Sequence, residues 1–356
     1  MSTHLFTPLR LREVALRNRI AVSPMCQYSS TEGLANDWHL VHLGSRAAGG
    51  AGLVIAEAAA VVPEGRISPA DLGLWSDDHV EPLARCFRFV ADQGAVPGIQ
   101  LAHAGRKAST AVPWAGRGPV GAADGGWDEI VAPSALAFDE GHPVPRALDA
   151  DELPELVDAF AAAARRALAA GAEVVEIHAA HGYLLHTFLS PLTNRRDDAH
   201  GGDFAGRTRL LREVVSGVRS VWPERLPLLV RISASDWIEG GWTADDSVRL
   251  AGDLAPLGVD LVDCSSGGLR GGVAIPVEPG YQVPFAARVR REAGMASGAV
   301  GLISSADQAE AIVAGGEADL VLLARQLLRD PHWPLHAARQ LGAEAPVPLQ
   351  YLRAFD

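Results

Sequence analysis

The chain is poor in cysteine. Cys26, Cys86 and Cys264 are odd in number and far apart in 356 residues. That excludes a disulfide framework and leaves no spacing for a cysteine-rich metal or iron–sulfur site. No apolar run approaches the ~18 residues of a membrane span. Met1 to Ile20 is mixed and basic, without an apolar stretch ahead of a small-residue cleavage site. The expectation is a cytoplasmic protein with no membrane partner. Positive charge is also scarce, with 31 Lys and Arg against 43 Asp and Glu and a formal net charge of −12. A broad nucleic-acid surface needs clustered cations, so nucleic acid is excluded as a partner, while a local cationic pocket for one phosphate is not. No glycine-rich dinucleotide fingerprint follows an early strand, which weakens an open doubly wound sheet. No internal repeat beyond a strand–helix unit and no low-complexity tail is visible.

What is present is an alternation of short apolar runs with longer helical patterns. The runs are Ile20–Ser23, Leu53–Ala60, Gly98–Ala102, Val174–His178, Leu228–Ser233, Asp260–Cys264, Ala299–Gly301 and Leu320–Ala324. Most are apolar throughout, as parallel strands buried on both faces require. Helical periods cover His79–Gly94, Asp149–Ala170, Gly206–Val221, Thr243–Leu257, Pro284–Ala293 and Ser305–Gly315. In the second of these, Leu153, Leu156, Val157, Phe160, Ala164, Ala167 and Leu168 share a face. Asp149 is placed as its N-cap with Glu152 three residues on, and Gly171 ends it. Eight such units predict an α/β fold, a (β/α)8 TIM barrel, in one domain spanning residues 1–356. A hairpin of Leu5–Leu9 and Val14–Leu16 is expected to plug the barrel base. The Gly-, Pro- and Trp-rich stretch of about residues 104–148 follows strand three. It is too long for an ordinary connection and is expected to form a capping subdomain.

The chemistry-bearing residues sit at strand ends, which a barrel brings to one mouth. Cys26 and Tyr28 follow the first strand, and Gln100 and His103 end the third. His178, His181 and Tyr183 follow the fourth. Arg231 lies in the fifth, Gly301 ends the seventh, and Arg325 follows the eighth. Two imidazoles can donate to one carbonyl oxygen, and a nearby phenol can deliver a proton. The alternatives are a His-x-x-His metal pair, which has no clear third ligand, and two histidines that simply bond backbone. Arg231 in an apolar run needs a buried partner. Either a reduced flavin or a barrel carboxylate such as Glu57 or Glu176 would serve. Gly301 and Ala324–Arg325 fall where barrels build phosphate sites, after strands seven and eight. Cys26 reads equally well as a small buried hydrophobe.

Four segments carry a resemblance. They are Met25-Cys26-Gln27-Tyr28, His103-Ala104-Gly105-Arg106-Lys107, His178 to Tyr183, and the run from Ser190-Pro191 through Asn194, Arg196, Asp198, Gly201 and Gly202 to Arg207. Together they resemble the old yellow enzyme family (NADH:flavin oxidoreductase/NADH oxidase) from about Leu5 to Phe355. Cys26 and Gln350-Tyr351-x-Arg353 resemble its thermophile-type, xenobiotic reductase subclass. The resemblance implies noncovalent FMN, NADPH or NADH as cosubstrate, and the activity of an NADPH dehydrogenase and ene-reductase. Small-molecule enones are then reduced by a ping-pong route. His178 and His181 would hold the substrate carbonyl, with His178 also at the cofactor, and Tyr183 would protonate the α-carbon. Ser23, Pro24, Met25, Cys26 and Ala58 would line the flavin. Gln100 and Arg231 would contact its pyrimidine edge, and Gly301, Ala324 and Arg325 its phosphate. Tyr28 would touch substrate. Lys107 would lie near the flavin or on the surface. Arg353 would reach a neighbouring subunit's site, which implies a homodimer or homotetramer. No metal is implied. The family often has glycine where Ala324 stands, which a methyl tolerates if φ is negative.

Overall fold

The computed structural model describes residues 3–116 and 118–355. Eight parallel strands close into a barrel in chain order. They are β1 (Ile20–Val22), β2 (Leu53–Ala60), β3 (Val96–Ala102), β4 (Val174–Ala179), β5 (Leu228–Ser233), β6 (Leu261–Ser265), β7 (Ala296–Ala299) and β8 (Leu320–Leu323). Closure is made by β8 pairing with β1, Val321 opposite Ile20 and Leu323 opposite Val22. Every residue of β1 to β6 and of β8 is buried. That is why these strands read as continuous apolar runs: the barrel interior takes one face and the surrounding helices the other.

The seventh strand is where the sequence reading moves most. It occupies Ala296–Ala299, not Ala299–Gly301, so Gly301 lies in the loop beyond it. The strand consists of Ala, Ser, Gly and Ala because Leu322 of β8 and Leu261 of β6 crowd Gly298 from either side. Small residues chosen for space carry little β signal. The hairpin is also shifted. Its first strand is Leu9–Leu11, paired antiparallel with Val14–Leu16, while Leu5 is buried in the turn before it. The hairpin lies at the barrel base. Arg12 at its tip bonds Asp260 and Glu224, just ahead of β6 and β5.

Each strand is followed by a helix, in order Asp37–Ala48, Val80–Asp92, Leu153–Ala169, Phe204–Val221, Ala244–Leu254, Val283–Ala293, Ala306–Ala314 and Trp333–Leu341. Short extra helices, Leu184–Leu189 and Arg325–Arg329, follow β4 and β8. The helix after β1 escaped the periodicity reading for a physical reason. Its inner face carries buried His39, His42 and Arg46, while Trp38 and Val41 are 55% and 65% exposed. The helix Leu153–Ala169 starts one turn later than Asp149. The expected reciprocal bond is nevertheless present, with the Asp149 N–H donating to Glu152 Oε2 at 2.6 Å.

The segment after β3 folds over the mouth. It holds three short 3-10 turns and a parallel pair, Val131–Ala132 with Arg146–Ala147. Arg106 and Lys107 of this segment donate to Leu269 and Gly268 carbonyls beyond β6, pinning the cap across the barrel end. Leu153, Leu156, Phe160, Ala164 and Ala167 are buried from their shared helix face, and Val157 and Leu168 are half-buried. Phe160→Ala therefore leaves a cavity between helix and barrel. Denaturant unfolding should register a loss of about 3–5 kcal/mol; a loss below about 1 kcal/mol would mean that this face does not carry the packing assigned to it.

Candidate active site

The end of β4 brings three rings together. The His178 and Tyr183 rings lie 5.0 Å apart, His178 and His181 5.2 Å, and His181 and Tyr183 6.5 Å, all near perpendicular. The turn that does this is strained. His181 has φ +59°, a left-handed conformation uncommon outside glycine, and Gly182 follows at φ +75°. The strain is held from several sides. The His181 N–H donates to Ser233 Oγ at 2.9 Å, and its carbonyl accepts from Lys107 Nζ at 2.9 Å. A side chain at Gly182 would press into the Gly268 carbonyl.

Both imidazoles are neutral. Burial and then the charge of Arg231 push His178 and His181 well below the usual histidine range. The His178 Nδ1 accepts from the Ala180 N–H at 3.3 Å, which leaves the proton on Nε2 and makes that atom a donor. His181 Nε2 pairs with Ser265 Oγ at 2.7 Å. Burial, with Cys26, Tyr28 and Asp71 nearby, pushes the Tyr183 phenol well up, so it keeps its proton. The site is thus a set of uncharged N–H and O–H donors.

Below them sits Arg231, aligned with His178 on one side and Asp263 on the other. Its Nη1 donates to Ser23 Oγ at 2.9 Å, and its Nε lies 3.2 Å from Asp263 Oδ2. The carboxylate partner is therefore Asp263, not Glu57 or Glu176. Glu176 instead accepts from Gln100 Nε2 at 2.7 Å. Glu57 accepts the Gln27 N–H and lies 3.2 Å from His39 Nε2. Single atoms of Cys26, Glu57 and Asp71 lie within 4.8 Å of one another, a grouping of metal-ligand types that includes neither His178 nor His181. Cys26 is half-buried, with its thiol pushed up by burial and then by the charges of Asp71 and Glu57.

Two cavities frame these residues. One of about 340 Å³ is walled by Tyr28 and Tyr183 together with Lys107, Ile67, Phe138 and His142. The other, about 400 Å³, is bordered by Gly301, Ala324 and Arg325 and also by Gln282, Ser304 and Arg329. Gly301 has φ +119°, and a Cβ there would meet Gln282 Nε2 at 2.9 Å, so only glycine keeps this wall open. Ala324 has φ −103°, which its methyl tolerates. Two guanidinium-bearing residues and open backbone suit a phosphate, and the enclosed Gln100 and Arg231 suit the polar edge of a flavin, so the residues present fit FMN. Pro24, Met25 and Ala58 lie beside Cys26 and Gln100 at the ends of β1 and β2, Ala58 in register with Gln100. Arg353 does not join this group within the chain. It is exposed in the turn Leu349–Ala354, without a hydrogen bond or ion pair among the described residues.

Lys107, expected near the flavin or on the surface, is the one lysine in the chain and lines the cavity beside Tyr183. Its ammonium lies 5.0 Å from the Tyr183 ring centre and 4.5 Å from that of Phe138, and burial lowers its pKa to about 8. Its solitude among thirty arginines was a legible signal. Ser190, the first residue of the run to Arg207, joins a scaffold with His186 and Asp236. His186 Nε2 pairs with Asp236 Oδ1 at 2.9 Å, Ser190 Oγ donates to Asp236 Oδ2 at 2.7 Å, and the Gly182 N–H donates to His186 Nδ1 at 2.8 Å. This chain of bonds ties the strained turn to the β5 loop. Asp263, Phe138 and Asp236 carried no motif that marked them.

The model of the NADH:flavin oxidoreductase / NADH oxidase family matches residues 4–344. The chain is 48% identical over 357 aligned residues to an NADPH dehydrogenase of Geobacillus thermodenitrificans, covering 100% of this chain and 99% of that one. Among solved structures it resembles morphinone reductase, with a TM-score of 0.79 and 28% identity over 96% of this chain and 91% of that one. A 2-naphthoyl-CoA reductase complex gives a TM-score of 0.85 at 26% identity, covering 96% of this chain but 52% of that longer one.

Asp236 is held below the usual carboxylate range: burial opposes its charge, but the bonds from His186, Ser190 and the Trp242 N–H outweigh it. A depressed carboxylate stabilises the fold above its unfolded pKa of about 4 and loses that contribution as pH falls through the lower folded value. Asp236→Asn should cost about 3 kcal/mol at neutral pH. In paired denaturation curves the gap to the parent should narrow below about pH 4; a gap that stays constant down to the acid limit contradicts the assignment.

Proposed function

The chain belongs to the NADH:flavin oxidoreductase / NADH oxidase family, the old yellow enzymes, and on that premise we propose that it is an FMN-dependent ene-reductase acting on α,β-unsaturated carbonyl compounds. The observation that carries this reading is the convergence of two neutral imidazoles and a protonated phenol, with ring centres 5.0 to 6.5 Å apart and the phenol walling the cavity. Bound FMN, reduced by NADPH or NADH, supplies hydride to the substrate β-carbon. The chain does the rest. His178 Nε2–H and the His181 ring donate to the carbonyl oxygen and stabilise the charge that grows there as the double bond is reduced. Neutral donors suit this task, because the strained turn fixes them before substrate arrives and no proton need leave them. Tyr183 gives its phenolic proton to the α-carbon. The Lys107 ammonium near the ring face favours the phenolate that remains.

Gln100 and Arg231 hold the pyrimidine edge, Ser23, Pro24, Met25, Cys26 and Ala58 line the ring system, and Gly301, Ala324 and Arg325 take the phosphate. Tyr28, Ile67 of the loop after β2 and the cap residue Phe138 shape the substrate mouth. Arg353, exposed in this chain, is assigned to the site of a neighbouring subunit in a homodimer or homotetramer. No helix among the described residues is long and apolar enough to cross a membrane.

The test is spectroscopic. Purified protein should show flavin bands that bleach with NADPH under anaerobic conditions and return with 2-cyclohexenone. A His178→Ala/His181→Ala double variant should bleach but not return with the enone, while staying folded and yellow. Loss of flavin from that variant, or undiminished reoxidation, removes the oxyanion role. Tyr183→Phe should slow reoxidation by the enone by roughly 10²–10⁴-fold and leave bleaching nearly unchanged. Equal slowing of both halves would count against protonation by Tyr183.

A further inference from the structure

Inside the barrel, against the two residues assigned to the flavin's pyrimidine edge, lies a cluster that the proposed chemistry does not use. Glu176 and Asp263 are both 0% exposed, on β4 and β6 inside the barrel. Each touches one of the two residues assigned to the cofactor's pyrimidine edge. Glu176 Oε1 accepts from Gln100 Nε2 at 2.7 Å, and Asp263 Oδ2 stands 3.2 Å from Arg231 Nε. Three carboxylate oxygens are left over. Glu176 Oε2 and both oxygens of Asp263 have no aligned hydrogen-bond partner, and neither does Arg231 Nε. The groups facing Glu176 are Gln100 from β3, Arg231 from β5, Asp263 from β6 and His178 two residues on along its own strand.

The charges do not balance if both carboxylates ionise. One guanidinium would then face two anions, leaving an uncompensated negative charge in a fully enclosed space. Such a charge costs several kcal/mol unless it is neutralised. One proton shared between the two acids removes it, and an unpartnered oxygen is where that proton can reside. We propose that Glu176 and Asp263 hold one proton between them, and that this proton sets how much of the Arg231 charge is free to act on the bound flavin. Both are then positioning residues: they act through Gln100 and Arg231, not on substrate. The electrostatics agree. Burial and then Asp263 push Glu176 up to about 8, against Arg231 and Gln100, and burial raises Asp263 against Arg231.

The inference rests on the flavin reading, because its consequence is a reduction potential. Reduction places negative charge at the flavin edge that Arg231 faces. With the proton in place, the cluster is neutral overall. Once the proton leaves, it carries one more negative charge, and the reduced cofactor is disfavoured. The midpoint potential of the yellow holoenzyme should therefore fall more steeply with pH above about 8 than below it. Glu176→Gln keeps the acceptor for Gln100 and removes the proton site. Its potential should run without that break and lie above the parent's at high pH. Asp263→Asn leaves Glu176 as the single counter-charge to Arg231, so its potential should match the parent's below about pH 8 and lie above it at higher pH. Parallel lines for parent and Glu176→Gln would overturn the proposal. A second readout does not need the cofactor. Infrared difference spectra between neutral and high pH should contain a protonated-carboxyl C=O band that is lost in both Glu176→Gln and Asp263→Asn. Absence of any such band also overturns it. A protein that takes up no FMN would instead remove the flavin reading, with the infrared band still deciding whether the shared proton exists.

Discussion

The rest of the site depends on one guanidinium buried inside a closed barrel. Arg231 sits on β5 with Asp263 on one side and His178 on the other, and reaches Ser23 at the end of β1. Its charge cannot be shed, since arginine stays protonated in proteins. Everything nearby adapts to it. The two histidines, already driven neutral by burial, are pushed further down by its charge, a carboxylate is drawn in as counter-charge, and a second carboxylate is left competing for the same cation. A lysine could relieve the same burial by deprotonating; an arginine makes the charge permanent.

A second constraint is the turn after β4. Two successive left-handed residues, His181 and Gly182, aim the rings of His178, His181 and Tyr183 at one point. The conformation persists because bonds from Ser233, Lys107 and His186 over-determine it. Rigid donors are what stabilisation of a developing oxyanion demands, since a donor that must first reorient gives back much of its advantage. The network from His186 through Asp236 to Ser190 braces the turn in its strained form.

Much of this was legible from residue order. Continuous apolar runs revealed seven of the eight strands to within a residue or two, because burial on both faces leaves no polar alternation to confuse the pattern. The seventh was displaced, since Gly298 and its neighbours are small for lack of space and signal no strand. The helix after β1 was invisible because its polar side faces inward. At the site, strand-end placement picked out His178, His181, Tyr183, Arg231, Gly301 and Arg325. It could not pick out Asp263, whose run Leu-Val-Asp-Cys-Ser has nothing unusual except one acid, nor Phe138 in an irregular loop.

By itself, then, the sequence determined the barrel and which residues reach its mouth, because periodicity and strand-end position are local properties of the chain. Only the tertiary structure decided which charges meet. Glu57, Glu176 and Asp263 are all carboxylates in barrel strands, and nothing local distinguishes them as partners for Arg231. The choice follows from barrel closure and register, which set Asp263 opposite Arg231 and Glu176 opposite Gln100. Protonation follows from the same source: whether an imidazole or a carboxyl keeps its charge is a matter of burial and of the charges that folding places within reach.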